Sequence, residues 1–326
     1  MKVLVTGGAG YVGSIVSEAL VEQGYDVLVV DNLKQGHRDA VPHKAKYVPA
    51  DIGDPDTLRQ VFSRDKIDAV MHLAADSLVE VSMTDPGRFF KNNVTGGLNL
   101  LDVMLEHDVR RIIFSSSAAV YGKPRVKLIQ ESQPAVPVNP YGESKLMFEN
   151  ILKWYGQAYG LKYISLRYFN AAGASQMRGE DHRPETHLIP NILKAALNTG
   201  GSVNIFGQDY PTRDGTCVRD YVHVMDIAAA HVLALQKIDA LSGHAYNLGN
   251  GAGYSVKEVC DTARRVTGND FQVNRRPRRK GDPAVLVASS ERARTELGWR
   301  PRFSSIESIV ATAWAWLQEH PEGYQN

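Results

Sequence analysis

The sequence predicts an α/β protein: a doubly wound parallel sheet joined to a second, smaller α/β lobe. Three observations carry this. The chain opens with an apolar run, a glycine-spaced turn, a helical stretch and a second apolar run, a βαβ unit of about 30 residues. Apolar runs and helical stretches then alternate up to Gly173. Beyond it the rhythm breaks into shorter elements joined by loops rich in Gly, Asp and Arg.

In order, Lys2–Thr6 is short and apolar, which suits a buried strand. Gly7, Gly10 and Gly13 follow, then Ser14–Gln23 has helical composition with Gly24 as its stop. The strand Val27–Val30 ends at Asp31, and Tyr47–Ala50 leads to Asp51. Asp54 and Pro55 have the chemistry of a helix cap and first residue. Ile67–Leu73 reads as a strand, Pro86–His107 as a long helix, and Arg111–Phe114 as a strand ending in Ser115, Ser116 and Ser117. Asn139 caps a helix from Pro140 to Gly160, and the strand Tyr163–Arg167 follows. Such alternation means a parallel sheet covered on both faces. Residues 174–186 read as a loop. Later helices are expected over Leu188–Asn198, Val224–Gln236, Val256–Thr267 and Ile306–Glu319, with short strands at Val203–Phe206 and Ala245–Leu248. The expected division is 1–173 and 174–326, with some later segments returning to the first unit.

The 326 residues suit two lobes at ~100–200 residues each. With 43% hydrophobic and 22% charged residues, the chain can bury a sizeable core. A formal net charge of +1 gives no field for nucleic acid or an anionic membrane. Cys217 and Cys260 cannot make a disulfide framework and suit a reducing compartment. No apolar run reaches the ~18 residues of a span, and the first residues lack a signal-peptide core. The expectation is a cytoplasmic protein with neither a nucleic-acid nor a membrane partner.

Gly7, Gly10 and Gly13 follow a strand and open a helix, where backbone can approach a pyrophosphate and the helix N-terminus favours the anion. Asp31, 18 residues past Gly13, can accept from a ribose diol and would repel a 2′-phosphate, so NAD is expected rather than NADP. Asp51 can take an adenine amine proton or cap the next turn. Tyr141 and Lys145, four apart on one helical face, can pair a phenol with an ammonium; the charge would lower the phenol from its usual ~10. Ser115–Ser117 end a strand at the ligand crevice, where a hydroxyl can bridge substrate and tyrosine. Guanidinium groups suit a diphosphate, and Arg219 and the basic stretch Arg275, Arg276, Arg278, Arg279 and Lys280 offer them, although most of that stretch reads as a solvated loop. His182 and His187, near Glu180, Asp181 and Glu185, lack a zinc-type Cys/His set, so no metal is expected. His72 and His223 read as structural, and Gly249–Gly253 as a turn.

Val3–Gly13, Asp31–Leu33, Phe114–Gly122 and Asn139–Lys145 resemble the extended short-chain dehydrogenase/reductases, whose first domain is a Rossmann fold. Arg167–Asn170, Gly207–Val224 and Arg278–Ala288 narrow the resemblance to the UDP-glucose 4-epimerases, nearly end to end. The resemblance implies an NAD-dependent isomerase that inverts C4 of a UDP-hexose. It assigns catalysis to Ser117, Tyr141 and Lys145. Around NAD it places the glycines with Tyr11 and Val12; Asp31, Asn32, Asp51 and Ile52; Leu73, Ala74, Ala75 and Ser77; and Asn92, Tyr141, Lys145 and Phe169. Around the UDP-sugar it places Ser117, Tyr141, Asn170, His187 and Leu188, then Asn204, Phe206, Arg219, Arg279, Asp282 and Leu286. His187 and Asn204 differ in type from residues often found there, and Ser77 stands where some members have a lysine. Ala118 and Ala119 replace the acidic pair of related nucleotide-sugar dehydratases, so the acid that expels water is missing. Leu286 stands at the gatekeeper position, between the tyrosine of hexose-restricted members and the small residue of those accepting N-acetylated sugars; UDP-N-acetylglucosamine stays an alternative substrate. The resemblance also implies a homodimer, with Pro86–His107 and Pro140–Gly160 as candidate interface helices.

Overall fold

The computed structural model describes residues 1–124, 126–198, 200–279 and 282–325. Its strands are β1 (Lys2–Thr6), β2 (Asp26–Asp31), β3 (Lys46–Pro49), β4 (Ala69–His72), β5 (Arg111–Ser117), β6 (Lys162–Tyr168), β7 (Asn170–Ala172), β8 (Ser202–Phe206), β9 (Val218–Arg219), β10 (Tyr221–His223), β11 (His244–Leu248), β12 (Tyr254–Ser255), β13 (Gln272–Arg276) and β14 (Val285–Leu286). The α-helices are α1 (Tyr11–Glu22), α2 (Pro55–Arg64), α3 (Val79–Thr84), α4 (Pro86–Phe89), α5 (Gly96–Glu106), α6 (Pro140–Tyr159), α7 (Leu188–Leu197), α8 (Val224–Leu241), α9 (Val256–Thr267) and α10 (Ile306–Glu319).

Seven strands form one parallel sheet in the order β11-β6-β5-β4-β1-β2-β3. Each strand is apolar on both faces because each face meets helices. Val3 and Val5 point into a core shared with α1 and α8, and Leu4 points into the opposite core, shared with α2, α5 and α6. Val29 and Leu28, and Ile113 and Ile112, divide in the same way. A third core gathers Ile192, Val203, Ile205, Val259 and Val310 from α7, β8, α9 and α10. The late strand β11 lies at the edge of the large sheet beside β6.

Local chemistry explains the helix ends. Asp54 accepts from the Asp56 and Thr57 amides, and Pro55 opens α2. The Asn139 side chain accepts from the Gly142 N–H at 2.8 Å, Pro140 follows, and Gly160 ends α6 in the left-handed region at φ 69°. Ser255 and Glu258 form a reciprocal capping box on α9. The expected continuous helix over Pro86–His107 is instead α4 and α5 joined by a π turn, Phe90–Thr95. The wider turn carries Asn93, whose side chain accepts from the Asp76 N–H and donates to Asp76 O and to Ser144 Oγ. The helix over Val224–Gln236 continues to Leu241 because Ile238 is still buried. Strands β9, β10, β12 and β14, of two or three residues, are too short to leave an alternation in the sequence. Among the described residues no helix is long and apolar enough to cross a membrane.

Buried Asp226 on α8 holds the C-terminal segment. Its carboxylate accepts from the Arg302 and Phe303 amides at 2.8 and 3.0 Å, and its carbonyl accepts from Trp299 Nε1 at 2.8 Å. Asp226→Ala strands those two amides, so urea unfolding should show a loss of roughly 1–3 kcal/mol. An unchanged midpoint would remove this clamp from the account.

Candidate active site

Adjacent strands β1 and β4 send the chain toward opposite edges of the sheet, leaving a crevice beyond their C-terminal ends. A cleft of about 1960 Å³ opens there. Every residue the resemblance assigned to cofactor or sugar lines it.

At one end the backbone is packed to contact. Gly7 adopts φ +72°, and a Cβ on it would lie 2.5 Å from Ala74 N; a Cβ on Gly13 would lie 2.0 Å from Gly7 O. This cradle admits no side chain and puts the start of α1 on the cleft, which fits a dinucleotide pyrophosphate. Asp31 is buried and accepts from the Ala9 N–H at 3.0 Å and the Leu33 N–H at 2.8 Å. Burial pushes its carboxyl up, against those hydrogen bonds. Leu33 takes a left-handed φ of 56° to make its bond. Asp51 caps the next turn, accepting from the Gly53 N–H at 2.8 Å, and its other oxygen accepts from Asn32 and Lys34, both at 2.9 Å. Burial opposes its ionisation, but the Gly53 amide, Lys34 and Asn32 outweigh that and hold it below the usual carboxylate range. Tyr11 donates to Gly173 O at 2.6 Å, tying the first turn of α1 to the chain after β7. Ser77 lies in the segment held by Asn93 through Asp76, and Asn92 donates to Asn93. Asn93 belongs to no motif in the sequence; a polar Asn92–Asn93 pair inside an apolar helical stretch is its only signal there.

At the centre stand Ser117, Tyr141 and Lys145. Gly142 lets α6 touch the turn after β5, since a Cβ there would lie 2.5 Å from Ala119 O. Tyr141 is partly buried and faces Ser117, whose Oγ accepts from the Ala119 N–H at 3.1 Å. Lys145 is buried, donates to Ser115 O at 2.8 Å, and lies 5.9 Å from the centre of the Tyr141 ring. The expected lowering of the phenol is not found in the protein alone. Enclosure pushes Tyr141 up, opposed only by Ser117, and burial pushes Lys145 down to about 7, opposed by Glu149. Both groups lose water, which disfavours the charge of each. The serine cluster divides by strand alternation: Ser117 faces Tyr141, Ser115 bonds the Tyr168 hydroxyl, and Ser116 turns to the other face and donates to Glu149 at 2.5 Å. Below them Glu149 pairs with buried Arg167.

At the far end Arg219 is fixed by the Val218 and Pro283 carbonyls, both at 2.9 Å, and faces Asp282 at 3.5 Å. Arg279 stacks over Phe206 and pairs with Glu80 on α3 at 2.9 Å. Of the basic stretch, Arg279 reaches the cleft; Arg278 is committed to Asp209 and Tyr210, Arg276 to Asn204, and Lys280 lies outside the described residues. Leu286 packs with Phe169. Glu180, His182 and His187 bring three ligand-type atoms within 4.8 Å of one another, but both imidazole Nδ1 atoms face carboxylates, His182 that of Glu180 and His187 that of Glu185. His72 bonds Thr6 at 2.8 Å and is pushed down to about 3 by burial and Lys145. His223 Nδ1 accepts from the Met225 N–H, so Nε2 carries the proton toward Thr312. The Gly249–Gly253 turn is held by Asp220, whose carboxylate accepts from the Asn250 and Gly251 amides.

The profile of the NAD dependent epimerase/dehydratase family matches residues 3–249. A UDP-glucose 4-epimerase of Halalkalibacterium halodurans is 52% identical over 99% of this chain and 98% of its own. A crystal structure of a UDP-glucose 4-epimerase superposes with a TM-score of 0.97 at 50% identity, covering 100% of both chains. The Bifidobacterium longum UDP-glucose 4-epimerase, solved in complex with NAD+ and UDP, superposes with a TM-score of 0.94 at 38% identity, over 99% of this chain and 100% of that one.

Gly13→Ala places a methyl against Gly7 O and must open the cradle. The purified variant should release almost no dinucleotide on denaturation, read as ultraviolet absorbance against wild type; normal retention would disprove the cradle's role.

Proposed function

The chain belongs to the NAD dependent epimerase/dehydratase family, and from that premise we propose that it interconverts UDP-galactose and UDP-glucose by inverting the hexose at C4. The observation that carries this is the convergence of Ser117, Tyr141 and Lys145 on one cleft that is also lined by the glycine cradle, Arg219 and Arg279.

NAD would be held by the cradle with Asp31 and Asp51 and would supply a hydride acceptor and, when oxidised, a positive charge. Tyr141 takes the proton of the sugar's 4-hydroxyl, directly or through Ser117, and later returns it. Enclosure keeps the phenol protonated until further positive charge arrives; Ser117 and Lys145 then stabilise the phenolate. Arg219 and Arg279 hold the diphosphate while the 4-keto sugar turns over in the cleft. Ala118 and Ala119 offer no acid to expel water, which favours epimerisation over dehydration. The enzyme serves galactose metabolism in the cytoplasm, where buried Cys217 and Cys260 stay as free thiols.

The same reading makes it a homodimer packed through α5 and α6. On α6 the apolar Met147 and Trp154 are seven residues apart on one face, 37% and 66% exposed, and Tyr155 fastens α6 to Asp102 of α5 at 2.7 Å.

Two experiments test these statements. Purified protein given UDP-galactose deuterated at C4, with no added NAD, should form UDP-glucose that keeps its label, and Tyr141→Phe should slow turnover by ~100–10,000-fold while UDP still binds. Loss of label to solvent, or near-normal turnover by the variant, would end the mechanism. Trp154→Glu should convert dimer to monomer in analytical ultracentrifugation; an unaltered dimer would place the interface elsewhere.

A further inference from the structure

Beside the cleft, the loop before α7 carries two carboxylates and two imidazoles that the mechanism above does not use as a set. Glu185 Oε1 accepts twice from His187, from its backbone N–H at 2.7 Å and from Nδ1 at 2.8 Å. The Glu185 side chain is only 5% exposed, and its Oε2 is buried with no hydrogen-bond partner. His187 stands at the N-cap of the ten-residue helix α7, lines the cleft and leaves 44% of its side chain open. With Nδ1 engaged, Nε2 is its free nitrogen.

We propose that Glu185 is a positioning residue: its carboxylate fixes the His187 ring at the mouth of α7, so that His187 meets the substrate's diphosphate as a cation. The inference rests on reading the cleft as a UDP-sugar site. It deepens that reading by making substrate affinity depend on a carboxylate that touches no substrate.

Electrostatics support the geometry. The groups facing His187 are Glu185, Glu180 and His182 on its own loop, with the His182 ring 5.2 Å away, and Tyr11 from α1 faces the same two carboxylates. With both imidazoles protonated, two positive and two negative charges sum to zero; with both neutral, the cluster is doubly negative and repels a diphosphate. Burial works against the His187 charge, but Glu185 and Glu180 outweigh it and lift the imidazole from 6.5 to about 9. The cation is therefore present below about pH 9 and lost as the pH rises through that value. Without the Glu185 charge, the loss should move down toward the ordinary histidine range. The N-terminus of α7 favours an anion at the same place.

The test is the pH dependence of KM and kcat for UDP-galactose between about pH 6 and about pH 9.5, in wild type, Glu185→Gln and His187→Asn. Wild-type KM should stay level to about pH 8 and then rise. In Glu185→Gln it should climb roughly tenfold between about pH 6 and about pH 8, on KM rather than kcat. His187→Asn should show a high KM without this inflection. Glu185→Gln following the wild-type curve, or a KM raised equally at every pH as a merely structural lesion would give, overturns the proposal. If wild type neither binds nor turns over UDP-galactose, the reading of the cleft fails and the proposal with it. Should Glu185→Gln not fold, NMR titration of His187 in wild type decides: a midpoint near 6.5 overturns the proposal, and one well above it upholds it.

Discussion

Desolvation at the middle of the cleft is the constraint on which the rest of the structure depends. A partly buried phenol and a buried amine meet there, and loss of hydration drives each toward its neutral form. A site balanced in this way responds strongly to any charge that enters it. Holding it requires close packing beneath: Gly142 against the turn after β5, the Asn139 cap that starts α6 in register, and the buried Glu149–Arg167 pair that receives Ser116. That ion pair is enclosed on both sides, so removing one partner would leave an uncompensated charge under α6.

The two ends of the cleft are built in different materials. The cradle is backbone against backbone, with Gly7, Gly13 and the chain at Ala74 too close for any side chain. Such an end suits a partner that stays bound through many turnovers. The other end is made of side chains on short strands and loops. Arg219 is held by carbonyls, whereas Arg279 is held by Glu80 through an ion pair that is 40% and 59% exposed. Solvent screens such a pair, so Arg279 can exchange Glu80 for a diphosphate at little cost. A firm cofactor end and an adjustable substrate end are what a sugar that must turn over between two half-reactions requires.

The His187 loop adds a second layer of control. On the proposal above, a substrate diphosphate would face the His187 imidazole, whose charge depends on Glu185 and Glu180 behind it. Recognition of an anion would then rest partly on buried anions, a feature invisible in a tally of basic residues.

Short-range chemistry was legible in the sequence. The glycine spacing, Asp31 at the end of β2, the Asn139–Pro140 helix start and the Tyr141–Lys145 spacing are all settled within a few residues by sterics, capping and helical periodicity. The alternation of apolar runs likewise determined a parallel sheet covered on both faces. Tertiary structure alone decided where Ser115 and Ser116 go, because strand alternation turns Ser116 away and only packing says which face looks into the cleft. It decided the π turn that presents Asn93, the place of β11 beside β6, and the commitment of Arg276 and Arg278 to local partners. It also reversed the expected shift of Tyr141, since periodicity can bring an ammonium near a phenol but only the fold determines how much water is left around both.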